Sequence, residues 1–109
     1  MLSASVMHVI AKSALVQFWE RQPAGAPRSM AKAAMMEWYT TASDASWNDF
    51  AELKRTFNSA DYVSKGKVVF DLGGNKYRPV GLIGFRTKRI FVLFVGSHAE
   101  YDRVNVADL

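Results

Sequence analysis

The spacing of the apolar residues changes once along the chain, near Asp61. Before that residue, apolar side chains recur with the 3.6-residue period of amphipathic helices, and after it they alternate with polar ones as in half-buried strands. A chain with helices first and strands afterwards favours an α+β fold, in which the helices pack on one face of a mainly antiparallel sheet. We expect a sheet of about four to five strands, formed by the segments predicted below as strands.

Three helices are predicted in the first half of the chain. The first two carry the same apolar stripe at i, i+4, i+7 and i+8, formed by Ala11, Leu15, Phe18 and Trp19 and then by Ala31, Met35, Trp38 and Tyr39. Pro23 and Gly25 end the first helix, and Pro27 suits the first turn of the second. A third helix is predicted from Ser46, because residues 46–49 resemble a capping box with Asp in place of Glu. Its apolar face would consist of Trp47, Phe50, Leu53 and Phe57.

Strands are predicted over residues 7–10, 67–72, 76–85 and 89–95, with a short final strand around 104–106. In the second of these, Val68, Phe70 and Leu72 share one face, and Lys67, Val69 and Asp71 share the other. Residues 73–75, Gly-Gly-Asn, predict a hairpin turn because they tolerate positive φ. Residues 1–109 are predicted to form a single domain, of which residues 1–6 are an extension.

The composition excludes several classes of protein. Of the 109 residues, 50% are hydrophobic and 22% are charged, which suits a folded domain. The chain has no cysteine, which excludes disulfide frameworks and cysteine-based zinc sites. The longest apolar run, residues 90–96, is far shorter than the roughly 20 residues that a membrane helix needs. We therefore expect a cytoplasmic protein that does not associate with a membrane.

The net charge of +4 is confined to the second half of the chain. Residues 1–64 have equal numbers of basic and acidic side chains, whereas residues 65–109 have eight basic and four acidic ones. The basic residues of this half are Lys65, Lys67, Lys76, Arg78, Arg86, Lys88, Arg89 and Arg103. A localised basic surface favours a polyanionic partner, although a solvated face that keeps the protein soluble has the same composition.

The motifs of several enzyme classes are missing from the sequence. It contains no GxxxxGK[ST], GxGxxG, HExxH or GxSxG segment. Of its two histidines, His8 on the first strand is interpreted as structural. His98 alternates with Glu100 and Asp102, but no further ligand accompanies these three residues. We therefore expect neither a metal nor another cofactor.

Cleavage of RNA through its own 2′-hydroxyl is a reaction that the available side chains can perform. It needs a base for the 2′-hydroxyl proton, cations for the charge that builds up on the phosphate, and an acid for the 5′-oxygen. His98 and Tyr101 are the candidate proton-transfer groups, and histidine can take either role near neutral pH. The candidate cations are Lys67, Lys76, Arg78 and Arg103.

Three segments resemble a known family. They are MHVI at 7–10, VFDLGGNKYR at 69–78 and FVGSHAEYD at 94–102, and they are similar to segments of the HigB family of bacterial toxins, within the RelE-like group of mRNA interferases. The resemblance implies a RelE-like α+β fold and cleavage of mRNA, commonly on the translating ribosome. It also implies neutralisation by a HigA-type antitoxin that carries a helix-turn-helix domain.

The resemblance also implies roles for individual residues. Arg78 matches the arginine that RelE-like toxins use against the scissile phosphate, while His98 and Tyr101 lie where related toxins keep a residue for proton transfer. Pro79 departs from the family pattern, which has an aliphatic residue there, and leaves the direction of Arg78 open. The predicted RNA-binding residues are Lys67, Asn75, Lys76 and Arg103.

Two other functions are compatible with the sequence. One is a module that binds RNA or ribosomes without cutting. The other is a protein-interaction domain whose basic face binds an acidic partner. A cleavage assay distinguishes these alternatives, because the toxin would cut RNA and neither the binding module nor the interaction domain would.

Overall fold

The computed structural model describes residues 6–109, so all of the predicted extension except Val6 lies outside the described residues. In chain order the elements are β1 (His8–Ile10), α1 (Lys12–Glu20), α2 (Ala26–Asp44), α3 (Phe50–Thr56), β2 (Asp61–Ser64), β3 (Lys67–Val69), β4 (Val80–Gly84), β5 (Arg89–Phe94), α4 (His98–Tyr101) and a 3₁₀ helix (Val106–Asp108). Among these residues, no helix is long and apolar enough to cross a membrane.

The sheet has five strands in the order β1-β5-β4-β3-β2. Strand β1 is parallel to β5, and the other neighbouring pairs are antiparallel. The expected α+β fold with a mainly antiparallel sheet is therefore confirmed. Strand β5 lies inside the sheet, between β1 and β4, so the segment that follows it leaves from the middle of the sheet.

The N-terminal helices bury their apolar stripes against one face of the sheet. Helices α1 and α2 pack on each other, and their buried side chains share one core with residues of β3, β4 and β5. Trp38 is 1% exposed and meets Phe70 edge to face, with ring centroids 5.1 Å apart. The predicted stripes are confirmed except at Ala11, which is exposed because it precedes the first residue of α1.

The opposite face of the sheet is partly covered by the C-terminal segment. Val69 and Val80 are buried there against Val106, and the half-buried Phe94 and Tyr101 pack on this second cluster. The predicted strand at residues 104–106 is wrong. After β5 the chain forms two short helices, α4 and the 3₁₀ helix, and residues 104–106 comprise two irregular residues and the first residue of the 3₁₀ helix. Each of the two helices begins with a side-chain cap that a strand cannot use, at Ser97 and at Asn105.

Several element boundaries differ from those predicted, and one strand was not predicted. The strand predicted over 67–72 is regular only as far as Val69. Helix α3 begins at Phe50 rather than near Ser46, since the carboxylate of Asp49 accepts from the amide of Glu52 at 2.9 Å and caps the helix. The strand predicted over 76–85 is regular only from Val80, because Pro79 has no amide hydrogen to pair. Strand β2 was not predicted, since its residues show no alternation between apolar and polar side chains.

Candidate active site

The site is built on the hairpin loop of residues 73–76. Gly73, Gly74 and Asn75 have φ values of 61°, 63° and 77°, so the predicted turn is confirmed. Leu72 and Tyr77 pair across its base, and the amide of Leu72 donates to the carbonyl of Tyr77 at 2.9 Å. A Cβ at Gly73 would lie 2.8 Å from the Tyr77 ring, so this position of the loop requires glycine.

The hairpin is joined to the segment that follows β5. Tyr77 forms a second bridge with Ser97. The amide of Arg78 donates to the carbonyl of Gly96 at 2.8 Å, and the amide of His98 donates to the carbonyl of Lys76 at 3.0 Å. These backbone contacts bring Arg78 beside α4, although residues 79–97 separate them in sequence.

The guanidinium of Arg78 is held by acceptors on its own hairpin. Its Nη2 donates to Oδ1 of Asn75 at 2.6 Å, and its Nε lies 3.8 Å from Oδ1 of Asp71. Asp71 stands opposite Arg78 because Leu72 pairs with Tyr77. Within residues 6–109, neither Nε of Arg78 nor Oδ1 of Asp71 has a hydrogen-bond partner. Arg78 therefore points along the sheet face opposite the helices, with its Nε buried beside the carboxylate of Asp71.

Tyr101 lies next to this arginine. The Cζ atom of Arg78 is 5.2 Å from the centroid of the Tyr101 ring, within the range of a cation–π contact. Tyr101 is half-buried, since one side of its ring packs on the cluster of Val69, Val80 and Val106. The structure thus brings two of the three predicted catalytic residues into contact.

His98 is the first residue of α4, and its ring is paired within the helix. Its Nδ1 lies 3.0 Å from Oδ2 of Asp102, four residues later, and the His98 side chain is 42% exposed. Residues four apart lie on one face of a helix, while Tyr101 is three residues from His98 and lies beside the same face. The imidazole is therefore accessible to a ligand, and a carboxylate lies beside one of its nitrogens.

Helix α4 is held by a capping box and by an arginine from α1. The hydroxyl of Ser97 accepts from the amide of Glu100 at 3.1 Å, and Oε1 of Glu100 accepts from the amide of Ser97 at 2.8 Å. Nη1 of Arg21 donates to Oε2 of the same carboxylate at 3.0 Å. The Ser97 amide, followed by the Arg21 guanidinium, holds the pKa of Glu100 below its ordinary value.

The predicted RNA-binding residues fall into two groups. Asn75 and Lys76 are exposed on the hairpin that contains Arg78, and Arg103 is exposed two residues after the end of α4. Lys67 lies at the other end of β3, about 13 Å along the strand from Asp71. Its Nζ donates to the carbonyls of Val106 and Ala107 at 3.2 and 2.9 Å. Lys67 thus anchors the C-terminal segment.

The three alternating groups His98, Glu100 and Asp102 do not converge on one point. Glu100 faces Ser97 and Arg21, whereas Asp102 faces His98. Between residues 6 and 109 there is no group of three or more His, Asp or Glu side chains that could hold a metal ion.

Three residues that surround the predicted site were not singled out for it from the sequence. The pairing of Asp71 with Arg78 follows from the register of the hairpin, and the pairing of Asp102 with His98 follows from helical spacing. The sequence pattern that indicates α4 is the capping-box spacing of Ser97 and Glu100. Arg21 is 79 residues from Glu100 in sequence, and no local pattern indicates their contact.

The sequence of the chain matches one known protein family. The sequence model described as "HigB_toxin, RelE-like toxic component of a toxin-antitoxin system" matches residues 31–104. That range includes the hairpin, Arg78 and all of α4. The chain belongs to the HigB toxin family. The resemblance on which the site residues were chosen is therefore confirmed at the level of the family.

Curated relatives extend the similarity to most of the chain. An mRNA interferase HigB of Escherichia coli O6:H1 is 30% identical over 101 residues, which cover 90% of this chain and 91% of that protein. The mRNA interferase toxin HigB of Escherichia coli K12 is 29% identical over 99 residues, 88% of each chain. The mRNA interferase HigB of Shigella flexneri has the same identity and coverage. The similarity to HigB proteins thus extends well beyond the hairpin and α4.

Proposed function

We propose that this HigB-family toxin is a metal-independent endoribonuclease, which cleaves mRNA on the ribosome in the cytoplasm. The observation that carries the proposal is the contact between Arg78 and Tyr101, beside an accessible histidine whose Nδ1 is paired with Asp102. An arginine and two side chains that can transfer protons thus lie on the hairpin and on the short helix bonded to it. The names of the relatives, mRNA interferases, support RNA as the substrate.

In the proposed reaction, Nε2 of His98 takes the proton of a ribose 2′-hydroxyl. Nδ1 is the nitrogen that faces Asp102, so the tautomer with its proton on Nδ1 leaves the lone pair of Nε2 free. The 2′-oxygen attacks the adjacent phosphorus, and the bond from phosphorus to the 5′-oxygen breaks. A proton from the phenol of Tyr101 neutralises the leaving oxygen. The products are a 2′,3′-cyclic phosphate and a 5′-hydroxyl.

Arg78 would stabilise the charge that develops on the phosphate. Its side chain is 19% exposed and its guanidinium is already oriented by Asn75 and Asp71, so little conformational freedom is lost when a phosphate binds. Lys76 and Arg103, both exposed at the rim of the site, would bind neighbouring phosphates and position the strand.

The proposal includes a partner that neutralises the toxin. The family consists of toxic components of toxin–antitoxin systems, which supports an antitoxin as a partner. We propose a HigA-type antitoxin with a helix-turn-helix domain. A reading frame of this kind next to the gene would support this assignment, and its clear absence would count against it.

Cleavage is tested with purified protein and a defined mRNA, free in solution and on ribosomes. We compare the wild type with Arg78→Ala and His98→Ala, and we use Arg86→Ala as a control for the lost charge, since Arg86 is exposed in the β4–β5 turn. The wild type and Arg86→Ala should cut, and the two site variants should lose at least about a hundredfold in rate. Products are identified by their end groups, with and without EDTA.

Each outcome decides a part of the proposal. Cleavage only on ribosomes supports the ribosome as the site of action, whereas equal cleavage of free mRNA contradicts it. A 3′-hydroxyl product contradicts the roles of His98 and Arg78, because attack by the 2′-oxygen cannot produce it. Tight RNA binding by the wild type without any cleavage favours a non-catalytic binding module.

A further inference from the structure

Helix α4 depends on its surroundings for its position. It has four residues, and an isolated helix of that length is not stable in water. It nevertheless contains His98 and Tyr101, two of the three residues in the proposed mechanism. Contacts outside the helix must therefore fix the distance and angle between these side chains and Arg78.

The hairpin fixes one end of this segment. The bridge between Tyr77 and Ser97, with the amide of His98 bonded to the carbonyl of Lys76, attaches the first residue of α4 to the strand that contains Arg78. No backbone bond to the hairpin is made by Glu100 or Tyr101 among the described residues. The ring of Tyr101 packs on Val69, Val80 and Val106, and a second fixed point at Glu100 would complete the orientation of the helix axis.

Arg21 supplies this second point from the opposite layer of the fold. It follows the last residue of α1, and its Nη1 donates to Oε2 of Glu100 at 3.0 Å while its Nη2 donates to the carbonyl of Val95 at 3.3 Å. One planar guanidinium thus spans the end of β5 and the middle of α4. The ring of Phe18 lies 5.0 Å below it and orients it further.

The carboxylate of Glu100 also closes the capping box, so each of its two oxygens accepts one hydrogen bond. Oε1 accepts from the amide of Ser97, and Oε2 accepts from Arg21. The pair is exposed, 52% for the Arg21 side chain and 41% for that of Glu100. Exposed ion pairs contribute little to the stability of a fold, so the value of this contact lies in the geometry that it imposes.

We propose that Arg21 and Glu100 are positioning residues for the reaction, which hold α4 so that His98 and Tyr101 face the phosphate bound by Arg78. This inference rests on the proposed function. Neither residue needs to touch the substrate, since both act through the helix. Arg21 lies outside the range 31–104 matched by the family, so the matched segment does not include this contact.

The test measures cleavage rates of Arg21→Gln, Glu100→Gln and the double variant on ribosome-bound mRNA. Arg28→Gln is the matched control, because Arg28 is an exposed arginine that bonds the carbonyl of Gln22. We expect Arg21→Gln to lower kcat at least about tenfold with little change in KM, since a small misplacement of a reacting group is costly. The double variant should match Glu100→Gln, because Arg21 acts through that carboxylate. Arg21→Lys keeps the charge without the planar fork and should restore part of the rate.

Two further measurements separate positioning from loss of the fold. The melting temperature of Arg21→Gln should fall by less than about 5 °C, as for Arg28→Gln. The imidazole ¹⁵N signals of His98, assigned by comparison with His98→Gln among the chain's two histidines, should move in Arg21→Gln and remain in place in Arg28→Gln.

Failure of the inference differs from failure of the proposed function. If the wild type cleaves and Arg21→Gln cleaves equally fast, the pair does not position the site. A loss of rate shared equally by Arg21→Gln and Arg28→Gln also overturns the inference, since charge alone would then explain it. If the wild type cleaves no RNA, the proposed function fails, and unmoved His98 signals in Arg21→Gln would overturn the positioning as well.

Discussion

The Nδ1 atom of His98 lies 3.0 Å from Oδ2 of Asp102, one turn further along α4. A carboxylate that accepts from one ring nitrogen fixes both the tautomer and the rotation of an imidazole. The other nitrogen is then available to a substrate in a defined direction. Both side chains are partly exposed. A long polymer such as RNA can therefore reach the pair at the protein surface.

Asp102→Asn should slow RNA cleavage by about 10- to 100-fold, part of the roughly 10² to 10⁴ that a positioned proton-transfer group contributes. An amide can donate to Nδ1 as well as accept from it, so the variant no longer selects the tautomer in which Nε2 is a base. The rate is measured in single-turnover cleavage of a defined mRNA.

Asp108→Asn is the control for this substitution. It removes the same charge from an exposed residue of the 3₁₀ helix, which lies outside α4. Equal rates for the two variants would contradict a role of Asp102 in orienting His98.

The sequence allowed the layers of the fold to be predicted, since the apolar stripes of α1 and α2 and the alternation from Lys67 onward are strong local signals. The elements that were missed lack such signals. In β2, Tyr62 and Val63 are 50% and 41% exposed, so this edge strand has no buried face to produce alternation. Helix α4 is too short for a stripe, and its capping box was the one local sign of it.

The site could be predicted as far as residue types and one family resemblance allow. Arg78 and His98 were predicted as site residues. The residues that orient them were not predicted, because their contacts form only when separate parts of the chain fold together. Pro79 left the direction of Arg78 open, and the structure answers this, because Pro79 precedes β4 and the side chain of Arg78 turns to Asn75 and Asp71. The contact of Arg21 with Glu100 required the packing of α1 against the end of β5.

Gly73→Ala should destabilise the protein more than Gly74→Ala. Both residues have positive φ, so each alanine carries the strain of a left-handed backbone, about 1–2 kcal/mol. A Cβ at Gly73 would also lie 2.8 Å from the ring of Tyr77, whereas at Gly74 it meets nothing within 4 Å. We expect a further loss of about 1–3 kcal/mol for Gly73→Ala, measured by urea unfolding. Equal losses would show that the Tyr77 ring moves aside freely.

The lowered pKa of Glu100 predicts a loss of stability in acid. Its carboxylate is bonded to the Ser97 amide and to Arg21 in the folded state, which places the folded pKa below the ordinary 4.5. This contribution is complete above pH 4.5 and is lost as the pH falls through the folded pKa. Glu100→Gln should therefore be less stable than the wild type at pH 7, with the difference shrinking below pH 4.5. A difference that stays constant from pH 7 to pH 3 would contradict this prediction.

Lys67 and Lys76 should differ in what they contribute. The Nζ of Lys67 donates to the carbonyls of Val106 and Ala107, so Lys67→Met should lower the free energy of unfolding by about 1 kcal/mol and speed amide exchange in the 3₁₀ helix. Lys65→Met, at an exposed turn residue, is the control for the lost charge.

Lys76 is exposed beside Arg78, so Lys76→Met should instead reduce by about one the slope of log RNA affinity against log salt concentration. If Lys67→Met reduces that slope equally and leaves the unfolding free energy unchanged, Lys67 is a phosphate ligand, and the C-terminal segment is held by its apolar contacts through Val106.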